Sequence, residues 1–149
     1  MAAAAADHLL HDLGHALGLE LAFDEAGLCR LVVDRQWHVG ILFDAGRDHL
    51  VLTCPLHTPQ ADTLDPAWLL LMLKGNCTAI GGVPATLSVA PDGFPCAQAD
   101  IPVRDTGLRT LMRRLEQLLE VAQAWSTRLS QPPGDAASVR KRPQPRLMA

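Results

Sequence analysis

Asp65-Pro66-Ala67-Trp68-Leu69-Leu70-Leu71-Met72-Leu73-Lys74 reads as a short helix without a polar face. Asp65 is a natural N-cap, and Pro66 falls at the first helical position, where its missing N–H costs nothing. At about 100° per residue, Trp68, Leu71 and Met72 share one side of this helix, and Leu69, Leu70 and Leu73 share the other. A helix that is apolar all round is buried all round, yet a chain of 149 residues has one core to offer one face. The second face calls for a partner, most economically a second copy of the same helix.

The flanks of this helix carry a different period. Leu19, Leu21 and Phe23 alternate with Glu20 and Ala22, and Asp24-Glu25-Ala26-Gly27 then turns the chain. Cys29, Leu31 and Val33 continue the apolar face, followed by Val39, Ile41 and Phe43, then Leu50, Leu52 and Cys54, with short polar turns between. Such spacing predicts an antiparallel meander. A polar loop over residues 57–64 leads into the apolar helix. Beyond it, Gly81-Gly82 precedes a strand over residues 85–90, Pro91-Asp92-Gly93 turns it, and residues 96–101 return. The chain opens with a helix over residues 7–17 that Gly18 is placed to end. It closes with a long helix over residues 105–129, in which Leu108, Leu111, Met112, Leu115, Leu118, Leu119, Ala122, Trp125 and Leu129 keep helical spacing. The fold class is α+β: helix, antiparallel β-meander, short dimer helix, β-hairpin and long C-terminal helix, with helices covering one face of a twisted sheet.

Composition narrows the function. Hydrophobic residues at 48% and charged residues at 19% place the chain in the soluble globular class, and no apolar run approaches the roughly 20 residues of a membrane span. The Met1–Ala6 stretch lacks the basic start and continuous apolar centre of a secretory signal. Residues 1–130 hold nine Lys/Arg against fifteen Asp/Glu, a net −6, whereas residues 131–149 hold four against one, a net +3. An acidic body is the wrong surface for nucleic acid. The boundary at residue 130 separates a folded domain over 1–130 from a tail over 131–149. The tail sets four prolines around Arg140-Lys141-Arg142 and reads as disordered. Its basic cluster is a candidate contact for RNA or an acidic partner. Cys29, Cys54, Cys77 and Cys96 stand singly, without the close pairs of structural zinc, and read as four reduced thiols in a cytosolic protein.

No group of residues makes a persuasive catalytic set. His8, His11 and His15 fall within about 60° of one another on the first helix, so three imidazoles can face one metal ion. The stripe lies opposite the leucines, in water, and reads first as a solvated polar face, with no metal and no cofactor expected. Asp24 and Glu25 are turn residues beside Gly27. Cys29 and Cys54 fall in the inward register of strands, where a thiol packs as a small hydrophobe. Gly81-Gly82 lacks the Lys-Ser/Thr of a phosphate loop. Surplus apolar surface is the better lead. Among the outward positions of the meander, Ala22, Val32, Leu42 and Val51 interrupt Glu20, Arg30, His38 and His49. The four suit a docking strip for an extended peptide, with pairing at a sheet edge to extend it.

In its ordered motifs the chain resembles a class I type III secretion chaperone of the Tir chaperone family over roughly residues 7–130. The residues that carry the likeness are Leu10-x2-Leu13-Gly14-x2-Leu17-Gly18-Leu19, then Phe23-Asp24-x2-Gly27-x-Cys29-x-Leu31-x2-Asp34. Leu70-x2-Leu73-x2-Asn76 precedes a Gly-rich approach to a strand, and Ala122-x2-Trp125 lies in the last helix. The resemblance implies a small acidic homodimer in the bacterial cytoplasm, not an enzyme. Such a dimer holds the N-terminal region of a secreted effector soluble, non-globular and ready for export, and its middle helix supplies the dimer contact. Because Leu70, Leu73 and Asn76 match the family pattern, Leu70 and Leu73 are assigned to the protomer core, leaving Trp68, Leu71 and Met72 for the twofold contact. Ala22, Val32, Leu42 and Val51 become the effector-binding strip. Two alternatives stay open: a small metal-dependent enzyme using the His8/His11/His15 face, and a regulatory adaptor that binds a folded partner. The identity of an effector is not in the sequence.

Overall fold

The computed structural model describes residues 1–59, 64–77 and 85–131. The element order is α1 (Ala2–Leu17), β1 (Leu28–Val33), β2 (Trp37–Asp44), β3 (His49–Pro55), α2 (Pro66–Cys77), β4 (Thr86–Val89), β5 (Pro95–Pro102) and α3 (Leu108–Leu129). The sheet is antiparallel throughout, in the order β1-β2-β3-β5-β4. The meander and the hairpin therefore join through β3 and β5, and the two edges of the sheet are β1 and β4.

The alternation along each strand fixes which face is inside. Cys29, Ile41, Leu52 and Ala99 form one continuous cross-strand row, and all four are buried. The neighbouring rows of Leu31 and Val39, and of Leu50 and Ile101, are buried with it. The apolar stripe of α3 (Leu111, Leu115, Leu118, Ala122, Trp125) covers this face, lying along β3 and β5, and α1 packs against α3 through Leu9, Leu10 and Leu13. The loop after β3 is held to the end of α3, where the His57 backbone N–H donates to Ser126 Oγ at 2.9 Å, while the His57 ring stacks on Trp37 at 4.4 Å. That hold sets where the chain departs toward α2.

Two sequence expectations change here. The first helix begins at Ala2, not near residue 7, because the alanine run has the best intrinsic helix propensity and Ala6 is buried against the core. Residues 19–23 alternate but form no strand. Gly18 ends α1 in the left-handed region at φ 68°, and Leu19 N–H returns to Gly14 O at 2.8 Å. The segment runs so close over α1 that a side chain at Gly14 would stand 2.6 Å from Leu19 O. It is held by the helix and joins no strand ladder. Gly81-Gly82 and residues 132–149 of the tail lie outside the described residues.

Candidate functional site

Two surfaces are left unfinished by the fold. The first is α2. Asp65 caps it as expected, its Oδ1 accepting from Ala67 N–H at 2.8 Å. The division into two apolar sides also holds, but the sides are exchanged. Trp68 and Met72 are 4% and 3% exposed within a single chain, and Leu71 is half-buried against the same core. Leu70 and Leu73 are 53% and 65% exposed. The assignment of Leu70 and Leu73 to the core is therefore corrected, and Trp68 and Met72 are already occupied inside the protomer.

Gly75 and Asn76 supply the physical reason, since they lie on the same side as Trp68 and Met72. At Gly75 α2 meets α3 so closely that a Cβ would stand 2.5 Å from Trp125 Cζ2. Asn76 binds β4 with both ends of its amide. Its Nδ2 donates to Leu87 O, and Leu87 N–H donates to its Oδ1, both at 2.8 Å. The backbone of Leu87 is thus satisfied on the edge side of β4, leaving β1 as the more open edge of the sheet. The exposed stripe of α2 runs through Ala67, Leu70, Leu73 and Cys77, a row at helical spacing with Lys74 beside it.

The second surface is the outer face of the sheet, which none of the described helices covers. Leu28, Leu42 and Val51 are successive cross-strand partners there, and the row continues to Asp100. Leu42 is exposed, Leu28 half-exposed, and Val51, at 8% exposure, forms the floor between its neighbours. Of the four expected strip residues, Leu42 and Val51 are thus brought together. Val32 is exposed but pairs with His38, two residues along β1 from Arg30, and Ala22 sits exposed in the irregular segment before β1. Leu28 is the member that sequence reading missed. It lies between the expected turn over residues 24–27 and the Cys29-Leu31-Val33 alternation, and was assigned to neither.

Charge closes the far end of this row. Arg47 Nε meets Asp44 Oδ2 at 2.7 Å, Arg47 Nη1 meets Asp100 Oδ2 at 2.7 Å, and His49 Nδ1 meets Asp100 Oδ1 at 2.9 Å. The Arg47 guanidinium holds the Asp44 carboxyl below its ordinary range, chiefly through that hydrogen bond. Burial raises the Cys29 thiol and pushes Cys54 up to about 11. Cys77 alone among the four is exposed. His8 pairs with Asp12 at 3.5 Å, and His8, His11 and His15 all stand in solvent. Among the described residues, no cluster of His, Cys, Asp or Glu is arranged to hold a metal ion, and no helix is long and apolar enough to cross a membrane.

Solved structures share this architecture. A chain of the ExsC–ExsE complex superposes with a TM-score of 0.74 at 24% identity, covering 84% of this chain and 93% of that one. A chain of the HopA1–SchA chaperone–effector complex gives 0.71 at 23%, covering 83% and 94%. The Yersinia pestis type III secretion chaperone SycH, in complex with a stable fragment of YscM2, gives 0.61 at 20%, covering 80% and 98%. At these identities the likeness establishes the fold. No curated protein matches the chain in sequence. The decisive match is a family model spanning residues 8–126, from the first helix into the last, by which the chain belongs to the Tir chaperone protein (CesT) family.

Proposed function

We propose that this chain is a type III secretion chaperone of the bacterial cytoplasm. It binds the N-terminal region of a secreted effector and keeps that region soluble, extended and competent for export. The observation that carries the proposal is the uncovered sheet face with its apolar row of Leu28, Leu42 and Val51, in a chain whose family is one of chaperones. An effector segment held out of its own fold has apolar side chains that need temporary cover. Each aliphatic anchor buried on such a row contributes on the order of 1.5–3 kcal/mol, so a few offset the cost of ordering the segment. The edge of β1 offers backbone groups for strand addition. The proposed mechanism is physical, with no bond made or broken.

The working unit in this proposal is a homodimer joined through the exposed stripe of α2. Leu70 and Leu73 replace the expected Trp68, Leu71 and Met72 as the twofold contact, because Leu70 and Leu73 are exposed while Trp68 and Met72 are buried and Leu71 is half-buried within the protomer. Two copies of the sheet face then grip one client chain and gain avidity. The test is co-expression of the full chain with the products of neighbouring genes, comparing wild type with a Leu28→Asp/Leu42→Asp variant. Capture should be lost while the variant stays a folded dimer. Undiminished capture would dismiss the row as the binding surface.

A further inference from the structure

The start of α3 is electrostatically at odds with its own helix. Gly107 caps it without a side-chain acceptor, and its first turn holds no acidic residue, although helix N-termini favour negative charge. Arg109 and Arg113 stand there instead. They lie four apart on one face, both exposed, and neither meets a carboxylate within ion-pair distance among the described residues. Like charges at that spacing weaken a helix. Residues 104–114 hold four of the nine Lys/Arg in residues 1–130, against Asp105 alone, on a body of net −6.

These cations flank apolar surface. Leu108 and Met112, half-buried against the core, share a shallow, open groove along α3 with Arg109 and Arg113, with Glu116 farther along the helix. We infer that this groove docks an acidic, partly apolar segment of a partner protein. The segment sets carboxylates against Arg109 and Arg113 and an apolar side chain over Leu108 and Met112. Glu116 repels a carboxylate at the other end and so fixes the direction in which the segment lies. The groove is on α3, apart from both the sheet face and the exposed stripe of α2. The chain's own tail carries the same sign of charge as the arginines and does not suit the site. Nucleic acid fits less well than protein, because a phosphate backbone wants an extended basic surface and meets an acidic body on either side.

The probe is a fluorescein-labelled peptide of about twelve residues alternating Glu and Leu, titrated with the full-length protein by fluorescence polarisation. We expect a dissociation constant on the order of 10–100 µM. It should weaken at least about tenfold in Arg109→Glu/Arg113→Glu, and weaken with added salt as screening shortens the reach of the arginines. The matching Lys-Leu peptide should not bind. Arg109→Glu alone should also weaken binding while raising the melting temperature, since it places an acid in the first turn and pairs it with Arg113, so the loss of binding in this variant cannot be ascribed to misfolding. Equal binding by the double variant, equal binding of the Lys-Leu peptide, or tighter binding of a single-stranded oligonucleotide that displaces the probe would each overturn the inference.

Discussion

Replacing Asn76 by alanine tests how α2 is held in the orientation that exposes Leu70 and Leu73. The substitution removes two hydrogen bonds of 2.8 Å and leaves the Leu87 N–H and C=O without their partner. Each bond contributes about 0.5–1.5 kcal/mol net, and a partly buried backbone group left unmade costs about 1–3 kcal/mol, so a loss of about 2–4 kcal/mol is expected. For a domain of this size that lowers the melting temperature by roughly 10 °C. Asn76→Leu fills the same space but restores neither bond, and should be nearly as unstable. The assay is thermal and urea unfolding followed by circular dichroism at one fixed protein concentration, because the proposed dimerisation would contribute to apparent stability. If Asn76→Ala lies within about 0.5 kcal/mol of wild type, or if leucine rescues it, the amide does not hold α2 to β4 and the reasoning fails.

Other outcomes follow from the same contacts. Gly75→Ala should lose about 1–3 kcal/mol despite alanine's better helix propensity, since its methyl would collide with Trp125; a more stable protein in calorimetry would refute the close approach. In a Leu70→Asp/Leu73→Asp variant, which should sediment as a monomer, Cys77 should react at once with a disulfide reagent while Cys29, Cys54 and Cys96 wait for unfolding. Two fast thiols would contradict the burial. Asp44 should titrate below its ordinary value of 3.8, so the Arg47 contact stabilises the fold above that pH and is lost as the pH falls through the lowered value. Carbon NMR of Asp44 in Arg47→Ala should show the titration return toward 3.8, and an unmoved midpoint would dismiss the pairing.

The elements of this fold are legible in the sequence where period and punctuation agree. Asp65-Pro66 marks the start of α2, the meander turns sit between clean alternations, and α3 keeps its apolar spacing to Leu129. Sequence reading went astray where pattern and contact part company. An all-apolar helix carries no mark of which side faces inward, and the match of Leu70, Leu73 and Asn76 to a family pattern put Leu70 and Leu73 in the core. Here the edge of β4 supplies the partners of the Asn76 amide, and Gly75 lets Trp125 approach, so the side with Trp68 and Met72 turns in. Residues 19–23 have strand alternation but are tied to α1 through Leu19 and Gly14 and join no ladder. Leu28 joined the outer row unnoticed because it falls between the turn ending at Gly27 and the alternation starting at Cys29; only the register with Leu42 places it.

The central claim is that the paired chain keeps a client segment extended instead of folding or modifying it. Hydrogen exchange read by mass spectrometry on a co-expressed complex tests this most directly. The account predicts two copies of this chain per client, with the bound client segment slowed only along a stretch of strand-like contact and otherwise exchanging as an unfolded chain does. A client that remains cooperatively protected as a compact domain when bound would contradict it.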